Sequence, residues 1–240
     1  MISPQKTSTV YFDLDGTLRH NRPSFLEALA EFNLQLGLPF EIANSMQGHR
    51  WLHNYWAQSP QLLADRKKFG EDEAGFWVNH SRRFLEACGC LPDQAWRLAP
   101  DLTECMREQY TPLDSLAEGA ENTLDLLQQA GFRLGVISNR SEPFDEQLEA
   151  LGISSYFEFS LAAGTIDAWK PDPQIFLHAL NQMNIKPEQA VYVGDNYFAD
   201  VVGARNAGIE PILIDPANLF PEADCIVIDK IDDLEISSAD

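Results

Sequence analysis

A short apolar run in this chain ends on two carboxylates. Thr9-Val10-Tyr11-Phe12 is β-branched and aromatic, which predicts a buried strand. Asp13-Leu14-Asp15-Gly16-Thr17-Leu18 follows at once. Asp13 then lies at the carboxyl end of a strand, where open α/β sheets bind their ligands. Asp15 is two residues on, and in extended backbone residues two apart face the same way. Two carboxylates on one face repel each other unless something positive separates them. A hard cation is the economical answer, and Mg²⁺ prefers oxygen ligands of this kind. Gly16 lets the backbone leave the strand through angles closed to other residues. The plain alternative is a strand followed by an Asp-Gly turn, and the rest of the chain decides between the two.

Residues 19–114 differ from what flanks them. They hold Trp51, Trp56, Trp77 and Trp96, and no convincing period-two strand. Phe25, Leu29, Phe32 and Leu36 fall on one helical stripe within Ser24 to Gly37, with Gly37 and Pro39 as stop signals. Phe76 to Ala87 reads as a second helix and Asp93 to Tyr110 as a third, interrupted at Pro100. From Ser115 onward short apolar strands alternate with helices. The strands are Phe132–Ile137, Phe157–Phe159, Ala190–Val193, Pro211–Ile214 and Cys225–Ile228. The helices are Gly119–Ala130, Pro143–Leu151, Pro173–Met183 and Ala199–Ala207. That alternation predicts an α/β fold built on a doubly wound parallel sheet. Since its first strand precedes the helical block, the block is an insertion. The expected domains are an α/β core of residues 1–18 and 115–240 and an all-α domain of residues 19–114.

At 240 residues the chain is long enough for a full core and a small second domain. A formal net charge of −20 argues against nucleic acid and against an anionic membrane as partners. No apolar run approaches membrane-spanning length, and Met1 to Lys6 has no signal-peptide core. Cys88, Cys90, Cys105 and Cys225 show neither disulfide nor metal spacing. Free thiols in the cytoplasm are the expectation.

Three more strand ends carry polar residues. Ser138-Asn139-Arg140 follows Ile137, and a serine hydroxyl with the next backbone N–H can bind a phosphate oxygen. Taken alone, capping of the next helix is the plainer explanation. Lys170 is held between Trp169 and Pro171-Asp172-Pro173. A helix start disfavours a cation, so a placed ammonium that neutralises phosphate charge is the better reading. Asp195 ends the Ala190–Val193 strand and can reach the same cation as Asp13. Asp200, one helical turn further, can order a metal-bound water or a lysine, and equally fits a first-turn acid.

The set Asp13/Asp15, Ser138, Lys170 and Asp195/Asp200 resembles, in order and rough spacing, the four motifs of the haloacid dehalogenase-like (HAD) hydrolases, in their phosphatase branch. The likeness covers residues 9 to about 215. It implies a Rossmann-like core with an α-helical cap inserted after the first motif. It also implies a Mg²⁺-dependent phosphomonoester hydrolase acting on a small soluble phosphate ester. Asp13 would be the nucleophile, forming an aspartyl-phosphate, and Asp15 the acid and then the base. Asp13, the Asp15 backbone carbonyl and Asp195 would hold the metal. Ser138, the Asn139 backbone and Lys170 would hold the phosphate, with Asp200 behind them. Dehalogenases of the family lack an aspartate at the Asp15 position, which favours phosphorus over carbon chemistry. A phosphomutase would keep every one of these residues; a 2-haloacid dehalogenase and a non-catalytic binding protein are the further rivals.

Within the inserted block Trp51 and Tyr55, four apart on a helix, can stack on a base or sugar, though packing is the plainer role. Arg19, His20, Arg22 and Arg50 are candidates for an anionic substrate group. His53, His80 and His178 have no ligand-like spacing and read as structural.

Overall fold

The computed structural model describes residues 2–237. The chain begins with β1 (Thr9–Phe12) and β2 (Arg19–Arg22). Six helices follow: α1 (Phe25–Gln35), α2 (Phe40–Ala43), α3 (Met46–Trp56), α4 (Pro60–Phe69), α5 (Glu73–Ala87) and α6 (Pro92–Gln109). Then come β3 (Leu113–Leu116), α7 (Ala120–Gln129), β4 (Arg133–Ser138), α8 (Asp145–Ala150), β5 (Phe159–Ala162) and α9 (Pro173–Met183). The last elements are β6 (Ala190–Gly194), α10 (Val202–Asn206), β7 (Glu210–Ile214) and β8 (Ile226–Ile228). Two compact units result: Met1–His20 with Ser115–Asp240, and Asn21–Asp114.

The first unit is the doubly wound α/β fold that the alternation of elements predicts. Its sheet has the order β5-β4-β1-β6-β7-β8, and the five pairings between these strands are all parallel. Strand order reverses beside β1, which pairs with β4 on one side and β6 on the other. The register sets Phe12 opposite both Val136 and Val193, so β1 ends within one or two residues of the carboxyl ends of β6 and β4. Alternate side chains of β1 feed two cores. Val10 and Phe12 pack with Leu124 and Leu127 of α7 and Leu148 of α8. Tyr11 points the other way, among Ile175, Phe176 and Ala179 of α9, and donates its hydroxyl to the Ala179 carbonyl at 3.0 Å.

The second unit is helical. Ser24 and Glu27 form a capping box at the start of α1, satisfying backbone donors that the helix leaves orphaned. Leu29 and Phe32 of α1, Leu52 of α3, Phe84 and Leu85 of α5, and Ala99 and Leu102 of α6 share one apolar core. Trp51 and Tyr55 stack on each other, ring centroids 4.7 Å apart, and Tyr55 is buried. Packing, their plainer role, accounts for both.

Several elements depart from the sequence reading. The helix α6 runs through Pro100 without a break. Proline removes one backbone bond, and the apolar face of Ala95, Ala99 and Leu102 carries the helix across it. The strand expected at Phe157–Phe159 lies two residues later as β5, and Phe157 instead packs edge-on against Phe12 at 6.5 Å. The helix expected over Ala199–Ala207 opens as a wide π-turn, Tyr197–Val201, before α10. The ribbon of β2 and β3 is new: its short, half-exposed strands pair with each other rather than with the main sheet.

Candidate active site

All the candidate residues of the core unit gather at the carboxyl ends of β1, β4 and β6. Asp13 directly follows β1, and its backbone N–H donates to the Val193 carbonyl at 2.9 Å, which ties the loop to β6. Its side chain is buried and accepts from Lys170 Nζ at 2.7 Å. The same ammonium donates to Asp200 at 2.7 Å and to the Tyr192 hydroxyl at 2.9 Å. A lysine ammonium has three N–H groups, so each has a partner. Tyr192 in turn donates its hydroxyl to the Ile137 carbonyl at 2.9 Å. Asp200 accepts from the Asn196 backbone N–H at 2.9 Å with its other oxygen.

Carboxylate oxygens of Asp13, Asp195 and Asp200 lie within 4.8 Å of one another. Two glycines make that closeness possible. A Cβ on Gly16, at φ +90°, would overlap the Asp195 carboxylate, and one on Gly194 would overlap that of Asp200. Three carboxylates face one ammonium, so full ionisation leaves an excess of negative charge. Burial pushes the Asp13 carboxyl up to about 7, with Lys170 opposing and Asp200 and Asp15 reinforcing the shift. Burial, Asp13 and Asp200 hold Asp195 well above the usual carboxylate range. For Lys170 burial works against the charge, but Asp13 and Asp200 outweigh it and keep the ammonium protonated. Oxygen donors alone, crowded and short of positive charge, fit a hard divalent cation.

Asp15 is oriented differently. Its carboxylate is outside the cluster of three and accepts from Arg140 Nε and Nη2, both at 2.8 Å, and from Arg19 Nη1 at 2.9 Å. Burial pushes this carboxyl up, yet Arg140 and Arg19 outweigh burial and hold it below its ordinary value. Arg19, a candidate for substrate charge, is thus engaged with Asp15 in this state.

Ser138 is buried at the end of β4. The side chain of Asn139 does something the sequence did not suggest. It accepts from the Lys170 backbone N–H at 2.7 Å and donates to the Lys170 carbonyl at 2.9 Å. Tyr192 and Arg140 were also missed as site residues. The signal for Tyr192 was a hydroxyl inside an otherwise apolar strand, three residues before Asp195.

A family model described as haloacid dehalogenase-like hydrolase matches residues 7–208. The human haloacid dehalogenase-like hydrolase domain-containing protein 3 is 31% identical over 204 residues, 85% of this chain and 80% of that protein. A plasmid phosphoglycolate phosphatase of Cupriavidus necator is 30% identical over 215 residues, 86% of this chain and 80% of that one. Among solved structures, a 2-haloacid dehalogenase from Pseudomonas syringae is similar with a TM-score of 0.53 at 28% identity, over 94% of this chain and 95% of that one. All four cysteines of the present chain are free, and no helix among the described residues is long and apolar enough to cross a membrane.

Proposed function

This chain belongs to the haloacid dehalogenase-like hydrolase family, and from that premise we propose that it is a Mg²⁺-dependent phosphomonoester hydrolase acting on a small soluble phosphate in the cytoplasm. The observation that carries the reading is the buried contact of Asp13 with Lys170, beside Asp195 and Asp200, where the sheet order reverses. The similarity to a phosphoglycolate phosphatase supports it.

Asp13 attacks phosphorus, the bond to the ester oxygen breaks, and an aspartyl-phosphate forms. Asp15, which takes up a proton as it leaves Arg140 and Arg19, gives it to the departing alkoxide, then takes one from the water that attacks the phospho-enzyme. The second step releases phosphate and restores the Asp13 carboxylate. Ser138 through its hydroxyl, and Asn139 through its backbone N–H, hold the non-bridging oxygens. Lys170 reaches the phosphoryl group by giving up one of its three partners. Asp13 is the partner whose negative charge falls as it takes phosphorus, so that bond is the one exchanged. Asp200 and Tyr192 keep the ammonium in place meanwhile. Asp13, the Asp15 backbone carbonyl and Asp195 would hold Mg²⁺, which supplies positive charge to the transferring phosphoryl group. The helical residues 19–114 are assigned the cap's role of selecting the substrate.

The test is phosphate release from p-nitrophenyl phosphate and a panel of metabolite phosphates, with Mg²⁺, with EDTA and with Asp13→Asn. Metal-dependent release that vanishes in the variant is expected. Halide release from a 2-haloacid without any ester hydrolysis would overturn the reading in favour of carbon chemistry. Conservation of total phosphate ester with a bisphosphate requirement would overturn it in favour of a phosphomutase.

A further inference from the structure

Arg140 and Arg19 form a carboxylate-binding fork whose present occupant belongs to the protein itself. Arg140 meets both oxygens of Asp15 side-on, with Nε and Nη2 each at 2.8 Å, and Arg19 adds a bond at 2.9 Å. The Gln147 side chain braces Arg140 from behind. Paired, parallel N–H groups of a guanidinium match a carboxylate or a phosphate in geometry as well as charge. Two guanidiniums thus converge on a single carboxylate in a chain whose net charge is −20. The fork is reachable: the side chains of Arg140, Arg19 and Asp15 are 28%, 16% and 39% exposed.

Asp15 cannot serve both places. To meet the leaving oxygen it must free a carboxylate oxygen that Arg140 now holds. The side-on face of Arg140 then has room for another anion. Its position suits a substrate group. Asp15 is two residues past Asp13, and Arg140 two past Ser138, in the loops that follow the neighbouring parallel strands β1 and β4. Two residues of chain span at most about 7 Å, so the fork is a short reach from the phosphoryl position.

We propose that Arg140, assisted by Arg19, is the subsite for a second anionic group of the substrate, a carboxylate or another phosphate joined to the phosphoryl ester by a short linker. Binding of that group displaces Asp15 from the fork and releases it toward the leaving oxygen. Esters without a second anion leave Asp15 tied to Arg140 and react slowly. The inference rests on the phosphatase reading and narrows its substrate class.

Phosphomonoesters matched in linker and ending in a carboxylate, a phosphate or a hydroxyl test it through kcat and KM. The wild type should favour the anionic esters by tenfold or more in kcat/KM, and the better of the two names the group. Arg140→Gln should flatten that preference, mainly through KM for the anionic esters. Arg140→Lys should restore part of it, by charge without the fork. Should Arg140→Gln fail to fold, the wild-type preference and its decline in Arg19→Gln decide the matter. Equal rates on all three esters in the wild type would overturn the subsite alone. So would an equal proportional loss on all three in Arg140→Gln, which marks a residue that only positions Asp15. Release from none of them would overturn the phosphatase reading itself and the subsite with it.

Discussion

Asn139 holds Lys170 by the backbone from both sides, accepting from its N–H at 2.7 Å and donating to its carbonyl at 2.9 Å. The ammonium at the far end of that residue donates to Asp13 at 2.7 Å. Asn139→Ala leaves two backbone groups without these partners. Stability should fall by about 1–3 kcal/mol, read by denaturant unfolding. Loosening the lysine should lower kcat by about 10–100-fold, with less change in KM. Asn139→Asp keeps the acceptor and loses the donor, so it should fall between. Full kcat in Asn139→Ala would show that Pro171 and Pro173 alone suffice to hold Lys170.

Tyr192 links that lysine to the next strand, accepting from Lys170 and donating to Ile137 on β4. Tyr192→Phe keeps the ring, which packs edge-on against Phe176 at 5.0 Å. It removes the hydroxyl donor from the Ile137 carbonyl and one acceptor from Lys170. A loss of about 1–3 kcal/mol is expected. The kcat should drop while the fold, read by circular dichroism, stays unchanged. A variant as active and as stable as the wild type would mean that Asp13 and Asp200 orient the ammonium unaided.

The parts of this fold that local sequence specifies were legible. β1, β4 and β6 are buried nearly end to end, and continuous apolar runs announce such strands. The helix α9 begins on Asp172 and Pro173 and ends at Met183, where cap, proline and periodicity agree. β2 was not legible, because Arg19-His20-Asn21-Arg22 carries no apolar alternation and forms its two-stranded sheet with the short, half-exposed β3. In the site, the order of acidic residues pointed to Asp13, Asp15 and Asp195. The roles of Tyr192, Arg140 and the Asn139 side chain were not visible. Each depends on which strand or loop lies next to it across a large separation in sequence, such as the Arg140–Asp15 pair.

His80 is buried inside a ring of Trp51, Tyr55, Trp56 and Trp77, with centroids 5.1–5.5 Å from its own. Its Nε2 has no hydrogen-bond partner among the described residues. Burial lowers its pKa to about 4, against a smaller upward pull from Asp65. The unfolded chain protonates this histidine near ~6.5, so it binds more protons than the folded one between the two values. The stability His80 contributes is therefore full above the unfolded value and is lost as pH falls toward 4. His80→Leu should gain on the wild type in Tm as pH drops from 7 to 5, followed by tryptophan fluorescence. A constant difference between the two proteins across that range would refute a neutral, buried His80.

The acidic cluster carries the opposite sign. Asp13 has its carboxyl pushed up to about 7 and Asp195 is raised well above the usual range, burial being the largest cause for both. An unfolded aspartate loses its proton near ~3.9. Between that value and 7 the folded protein holds more protons than the unfolded one. The contribution of Asp13 to stability is thus full below the unfolded pKa and is lost as pH rises through about 7. A divalent cation reverses this, because it binds the carboxylates that high pH exposes. The gain in Tm on adding Mg²⁺ should therefore be small at pH 5.5 and large at pH 8. Asp195→Asn should remove most of that gain and flatten the pH slope of the metal-free protein. Differential scanning fluorimetry of both proteins, with Mg²⁺ and with EDTA, measures all four curves. A Mg²⁺ effect that is independent of pH, or that survives intact in Asp195→Asn, would place the ion elsewhere than among these carboxylates.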